Sequence, residues 1–122
     1  MGEYMQIRDL LQEGEEYAGL ILGKDESDYH LVLLPGETED ASWPTAVDWA
    51  QGHGGVLPSR RELALLFANL RDQFERNWYW SSESHDTRPQ LVWGQNFASG
   101  IQTIYGRPYR GHARAVRRIK TA

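Results

Sequence analysis

Leu57-Pro58-Ser59-Arg60-Arg61-Glu62-Leu63-Ala64-Leu65-Leu66-Phe67-Ala68-Asn69-Leu70 is the stretch from which the fold reads outward. Ser59 and Glu62 form a capping box, in which the Ser59 hydroxyl accepts from the Glu62 amide and the Glu62 carboxylate reaches back to the Ser59 amide. Leu63, Leu66, Phe67 and Leu70 then recur at helical spacing and make one apolar face. Upstream, Trp43, Ala46, Val47 and Ala50 form the stripe of a second helix, with Asp48 facing away from it. Ser42 stands as its cap, Pro44 is tolerated in the first turn and Gly52 lies beyond its end.

On either side of these helices the periodicity becomes that of strands. Tyr17–Leu22 and Tyr29–Leu34 read as a hairpin across the polar turn Lys24–Asp28, closed by Pro35-Gly36. Beyond Asn77 come the short aromatic runs Trp78–Ser82, Leu91–Phe97 and Ile101–Tyr105, then an apolar return over His112–Ile119. Ser84–Pro89 and Gly106–Gly111 are loops. The expectation is an α+β fold with two helices packed on one irregular antiparallel sheet. Ahead of it, Ile7, Leu10 and Leu11 at i, i+3 and i+4 suggest a short helix ending near Gly14. Residues 1–14 are therefore read as an N-terminal extension that covers the core or offers a contact for self-association, and residues 15–122 as a single domain.

A chain of 122 residues buries one core, and 40% hydrophobic residues with five Trp make it globular rather than disordered. It has no cysteine, which removes disulfides, thiolate metal sites and cysteine nucleophiles. No window approaches the roughly 18 apolar residues of a membrane span, and no secretory leader is visible in residues 1–30. The expected setting is the cytoplasm of a host cell, or a virion, with no membrane contact. The net charge of −4 is uneven: residues 1–50 hold 12 acids against Arg8 and Lys24, while residues 51–122 hold 5 acids against 11 bases. Either the halves neutralise each other in the fold, or one presents a charged face to a partner.

No catalytic constellation is predicted. Ser81, Ser82, Glu83, His85 and Asp86 supply the side-chain types of a nucleophilic triad, but within six residues and without a nucleophile elbow. His30, His53, His85 and His112 fall at no metal-ligand spacing, and no Gly-rich phosphate loop is present, so neither a metal nor a cofactor is expected. The stretch Trp93–Arg110 is different. It mixes rigid aromatics with amides, hydroxyls and Arg, the composition that recognition surfaces favour. Trp93, Gln95, Asn96, Gln102, Tyr105, Arg107 and Tyr109 are the candidate partner-binding residues, although strand alternation allows only about half of them on any one face.

Four segments in order, Ser42-Trp43 with Ala46–Ala50, Leu57–Leu63, Tyr79–Glu83 and Arg114–Arg118, resemble a widespread, mostly uncharacterised family of phage and bacterial domains. That family is related to the C-terminal domain of collagen-like adhesins and has a C-type-lectin-like fold; the resemblance runs from about Glu15 to Ile119. It implies a display scaffold whose region before the last strand, here Trp93–Tyr109, holds the ligand. The calcium signatures of sugar-binding C-type lectins, Glu-Pro-Asn and Trp-Asn-Asp, are absent. Within the family pattern, Trp80, Ala115 and Val116 are expected in the core, and Arg61, Arg114 and Arg117 are expected to brace loops through carboxylates such as Glu62 or Glu83.

These readings point to a non-enzymatic protein-binding module, phage or prophage encoded, that binds a host protein, with inhibition of that protein as one outcome of the binding. The alternative is a virion or surface-associated receptor- or glycan-binding domain. Nucleic-acid binding would rest on Arg107, Arg110, Arg114, Arg117, Arg118 and Lys120 with Tyr105 and Tyr109 between them. The acidic overall balance argues against it.

Overall fold

A computed structural model describes residues 7–24 and 26–121. Residues 7–10 are helical, with Ile7 buried and Leu10 largely exposed, and Gly14 turns the chain at φ 83°. Positions 1–6 of the expected extension lie outside the described residues.

β1 (Glu16–Ile21) and β2 (Tyr29–Leu33) form the predicted antiparallel hairpin. Its register shifts between Tyr17 and Gly19, and the bulged Ala18 carbonyl accepts from Asn69 Nδ2 at 2.6 Å. Gly19, at φ 137°, is where a Cβ would press on Asn69 and Leu65 of the helix that packs there. β3 (Thr38–Ala41), which the sequence pattern did not reveal, leads into α1 (Trp43–Gly52) and α2 (Arg60–Leu70). Ser42 sits at the N-cap of α1 but its hydroxyl bonds Thr45 Oγ1, so the expected side-chain cap is not made. The Ser59–Glu62 capping box of α2 is present in full.

After a 3-10 turn at Arg71–Gln73 come β4 (Trp78–Ser84), β5 (Leu91–Asn96), β6 (Gln102–Gly106), β7 (Gly111–Ala113) and β8 (Val116–Lys120). The fold is α+β, but the strands divide into two sheets where one was expected. One has the order β1-β2-β8 and is antiparallel; the other has the order β3-β7-β4-β5-β6 and is mixed, because β7 runs parallel to β4. The apolar return His112–Ile119 is accordingly two strands. It leaves the five-stranded sheet at Arg114-Ala115 and joins the three-stranded one, with Leu34 N donating to the Ala115 carbonyl at that crossing.

Pairing register decides which core each face serves, since directly opposed residues in an antiparallel pair share a face. Tyr79 opposes Gln95, and Gln95 opposes Gln102; on that face Tyr79 packs with Phe97, Phe74, Leu63 and Leu66 of α2, and Leu31 and Leu33 of the other sheet. Trp80 opposes Gly94, and Val92 opposes Tyr105; on the opposite face Trp80 and Val92 pack with Ala46 and Ala50 of α1. The five-stranded sheet is thus covered by α2 on one side and α1 on the other. Trp80, Ala115 and Val116 are fully buried, as expected, and Trp80 Nε1 donates to the Ala41 carbonyl at 2.8 Å.

The arginines brace the fold through partners other than those expected. Arg114, only 8% exposed, donates to the carbonyls of Gln73 and Leu34 and so clamps the crossing between the sheets. Arg61 donates to the Leu22 carbonyl, and Arg117 grips Glu15 with two bonds of 2.8 and 2.9 Å. The Glu15–Arg117 and Glu37–His112 contacts join the acidic first half of the chain to its basic second half.

Candidate functional site

The first turn of α2 carries two charged side chains aimed at different surroundings. Glu62 points inward and is 0% exposed. Its carboxylate accepts from Arg118 Nε (2.7 Å) and Nη2 (2.9 Å), from the Tyr29 hydroxyl (2.5 Å) and from the Ser59 amide (2.8 Å). Burial alone would raise its pKa, but the bonds from Arg118, Tyr29 and Ser59 outweigh burial and leave it below the ordinary value. Burial, together with the bond to Glu62, pushes the Tyr29 hydroxyl up to about 12. All of these groups are spent on joining α2 to β2 and β8.

Arg60 points outward. Its backbone amide donates to Glu83 Oε2 at 2.7 Å, and its guanidinium lies 3.7 Å from the centroid of the Trp93 ring, a cation–π stack that holds the fork in place. Arg60 Nε donates to Gln102 Oε1 (2.9 Å), Gln102 Nε2 donates back to the Arg60 carbonyl (2.9 Å), and the same nitrogen donates to Gln95 Oε1 (2.8 Å). Arg60, Arg61, Ala64, Glu83, Gln95, Gly100 and Gln102 line an open groove of about 520 Å³. Ile101, in the turn between β5 and β6 and between the lining residues Gly100 and Gln102 in sequence, is 64% exposed.

Of the seven residues singled out from sequence, Trp93, Gln95 and Gln102 come together here. Asn96 lies beside them, but its Oδ1 accepts from the amides of Ala98 and Ser99 and shapes the β5–β6 turn. Tyr105 is on the opposite face, stacked on Trp78 with ring centroids 3.7 Å apart and packed against the α1 core. Arg107 lies over Trp43 and donates to the Pro89 carbonyl, and Tyr109 is 64% exposed in the loop after β6. Arg60 and Glu83 are participants that sequence reasoning did not single out for binding: Glu83 was expected only as a carboxylate bracing a loop, and Arg60 was given no role of its own. The available signal was the capping box itself, because a residue two positions before the inward-facing Glu62 lies on the other side of the helix.

The Ser/His/acid segment does not assemble. Ser81 is buried with its hydroxyl turned to the Glu83 backbone, while His85 Nδ1 accepts from the amides of Thr87 and Arg88 and so organises its own loop. Three distant segments do bring Glu37, Glu75 and His112 within 4.8 Å of one another, a donor set able to hold a divalent cation. Both Glu37 oxygens are already engaged, one by the Tyr79 hydroxyl at 2.6 Å and the other by His112 Nδ1 at 2.8 Å. The Arg114 guanidinium also bears on Glu37 and would oppose an added cation. The cluster is accounted for as an internal network that anchors the segment before β3 to β4 and β7.

Among the described residues no helix is long and apolar enough to cross a membrane. No protein-family model matches the chain, and no curated protein matches it.

Proposed function

We propose that this chain is a non-enzymatic binding module on a C-type-lectin-like scaffold, phage or prophage encoded, that holds a host protein at the groove beside α2 and along the β5–β6 hairpin. The observation that carries this reading is the Arg60–Gln102–Gln95 network, stacked on an aromatic ring and opening into a groove. Rigid aromatic anchors with ordered polar donors are what protein recognition uses. The resemblance to phage and bacterial display domains supports the scaffold, as do two helices preceding a strand-rich second half.

Affinity capture from host lysate tests it, comparing wild type with a Trp93→Ala, Gln102→Ala double variant and with Tyr109→Ala as an exposed control. A partner held by wild type and the control and lost by the double variant is the expected result. A partner held equally by all three would remove the groove from the interface. Absence of any partner from lysate, with binding to isolated glycans, would replace this reading with that of a receptor-binding domain.

A further inference from the structure

The Arg60–Gln102–Gln95 chain has a polarity that dictates what the groove can accept. Arg60 Nε can only donate and the Arg60 carbonyl can only accept, so the Gln102 amide has one permissible orientation, oxygen toward Nε and nitrogen toward the carbonyl. That nitrogen also faces Gln95, which must answer with its oxygen. The Gln95 amide nitrogen is then left with both hydrogens and no hydrogen-bond partner among the described residues, on a side chain that is 2% exposed and lines the groove. The two terminal nitrogens of Arg60 likewise donate to no described residue. None of these nitrogens is among the buried side-chain atoms of the described residues that lack a partner, so they are open to the groove and free to donate to a ligand.

We infer that the groove takes a carboxylate, with the Arg60 fork and the Gln95 amide nitrogen donating to its oxygens, so that the partner presents an acidic side chain at this point. This rests on the reading of the groove as the contact surface and deepens it. Charge agrees: Arg60 and Arg61 face the groove against the single carboxylate of Glu83, one of whose oxygens is already held by the Arg60 amide. Geometry agrees as well, since a planar guanidinium held by stacking matches a carboxylate with two parallel bonds, which a lysine cannot do.

The test uses the full chain labelled with 15N, observing the Arg60 Nε–H and the side-chain amides of Gln95 and Gln102. The probes are a capped acidic hexapeptide, acetyl-Gly-Glu-Asp-Glu-Gly-Gly-amide, and its uncharged counterpart with Gln and Asn in place of Glu and Asp. The acidic peptide is expected to shift the Arg60 and Gln95 signals along a saturating curve, and the uncharged one to leave them in place. Gln95→Glu keeps an oxygen for Gln102 but replaces the donor with a negative charge, and Arg60→Lys keeps the charge but loses the fork. Each is expected to weaken binding by about tenfold or more, the scale of a lost hydrogen bond to a charged group. Unchanged backbone amide signals away from the groove in Gln95→Glu show that the scaffold is intact. Equal shifts from both peptides, no shift from either, or undiminished binding by Gln95→Glu would overturn the inference. If the lysate partner depends on Trp93 and Gln102 while the acidic peptide fails to bind, the ligand chemistry is wrong and the module reading stands. If the peptide binds but no lysate partner depends on the groove, the carboxylate site stands and the module reading falls.

Discussion

Arg60 and Glu62 stand two residues apart at the start of α2, and the surrounding chain treats their charges in opposite ways. Glu62 is sealed from water and answered by four donor groups from β2, β8 and its own cap. Arg60 is held on a ring face with one nitrogen satisfied and two left over. A charge whose bonds are complete holds the molecule together. One that is positioned but incompletely bonded can do work on something else, and the spare Gln95 nitrogen beside it extends that incompleteness into the sheet.

The strongest way to break this contrast is Glu62→Ala, which leaves Arg118 and Tyr29 without their shared acceptor. A loss of about 3 kcal/mol is expected in urea denaturation, the low end for a broken buried pair because the Arg118 side chain is 40% exposed and can turn to water. The same carboxylate, with Glu15 beside Arg117, gives the protein an acid limit. Both have pKa values below the ordinary 4.5, so their contribution to stability is complete above that pH and is lost as pH falls through the folded-state values. Melting temperature should therefore fall as pH drops below about 4.5 and stay nearly level toward neutrality; a flat profile would mean that the Glu62 network is not formed in solution.

Gly111→Ala comes next. A Cβ at this position would sit 2.4 Å from the Trp78 ring, which is itself stacked on Tyr105, so neither ring can yield freely. A cost of about 2 kcal/mol is expected, with a change in near-ultraviolet circular dichroism from the displaced indole. Ser59→Ala removes the acceptor for the Glu62 amide while leaving the carboxylate network in place, for about 1 kcal/mol. An effect on stability no larger than this should come from the groove. Gln102→Leu loses three hydrogen bonds; water can replace that of the part-exposed Arg60, while Gln95 Oε1 loses its donor on a side chain 2% exposed, so about 1 kcal/mol is expected in the same urea assay. A Gln102→Leu protein as unstable as Glu62→Ala would erase the distinction between the two sides of the helix.

The helix start, the first hairpin and the sequence of aromatic strands were readable because each depends on neighbours in the chain. A capping box is complete within four residues, and an alternating or 3.6-residue apolar pattern is set by backbone geometry before any tertiary contact forms. Ser42 shows how far such a reading goes: it occupies the cap position, but the choice between Thr45 and the helix amides is made by local geometry that the residue type leaves open. The candidate site was partly legible, since the residue types between Trp93 and Gln102 are those the proposed contact would use. Which of them share a face was not, because period-two alternation supplies two faces without saying which is covered by a helix.

By itself, then, the sequence determined an α+β fold without cysteine chemistry, the two helices and a polar-aromatic stretch suited to contact, while the single core expected from chain length is two apolar clusters on opposite faces of one sheet. Tertiary structure alone decided that the strands part into two sheets at Arg114-Ala115, that Tyr105 turns to the α1 side while Gln95 turns to the α2 side, and that Arg60 meets Gln102 across 42 residues of chain. The physical reason is the range of the interactions. Caps and periodicity act over a few residues, whereas strand order and the pairing of a buried amide depend on groups far apart in the chain, whose bonds form only when the packed core excludes water from them.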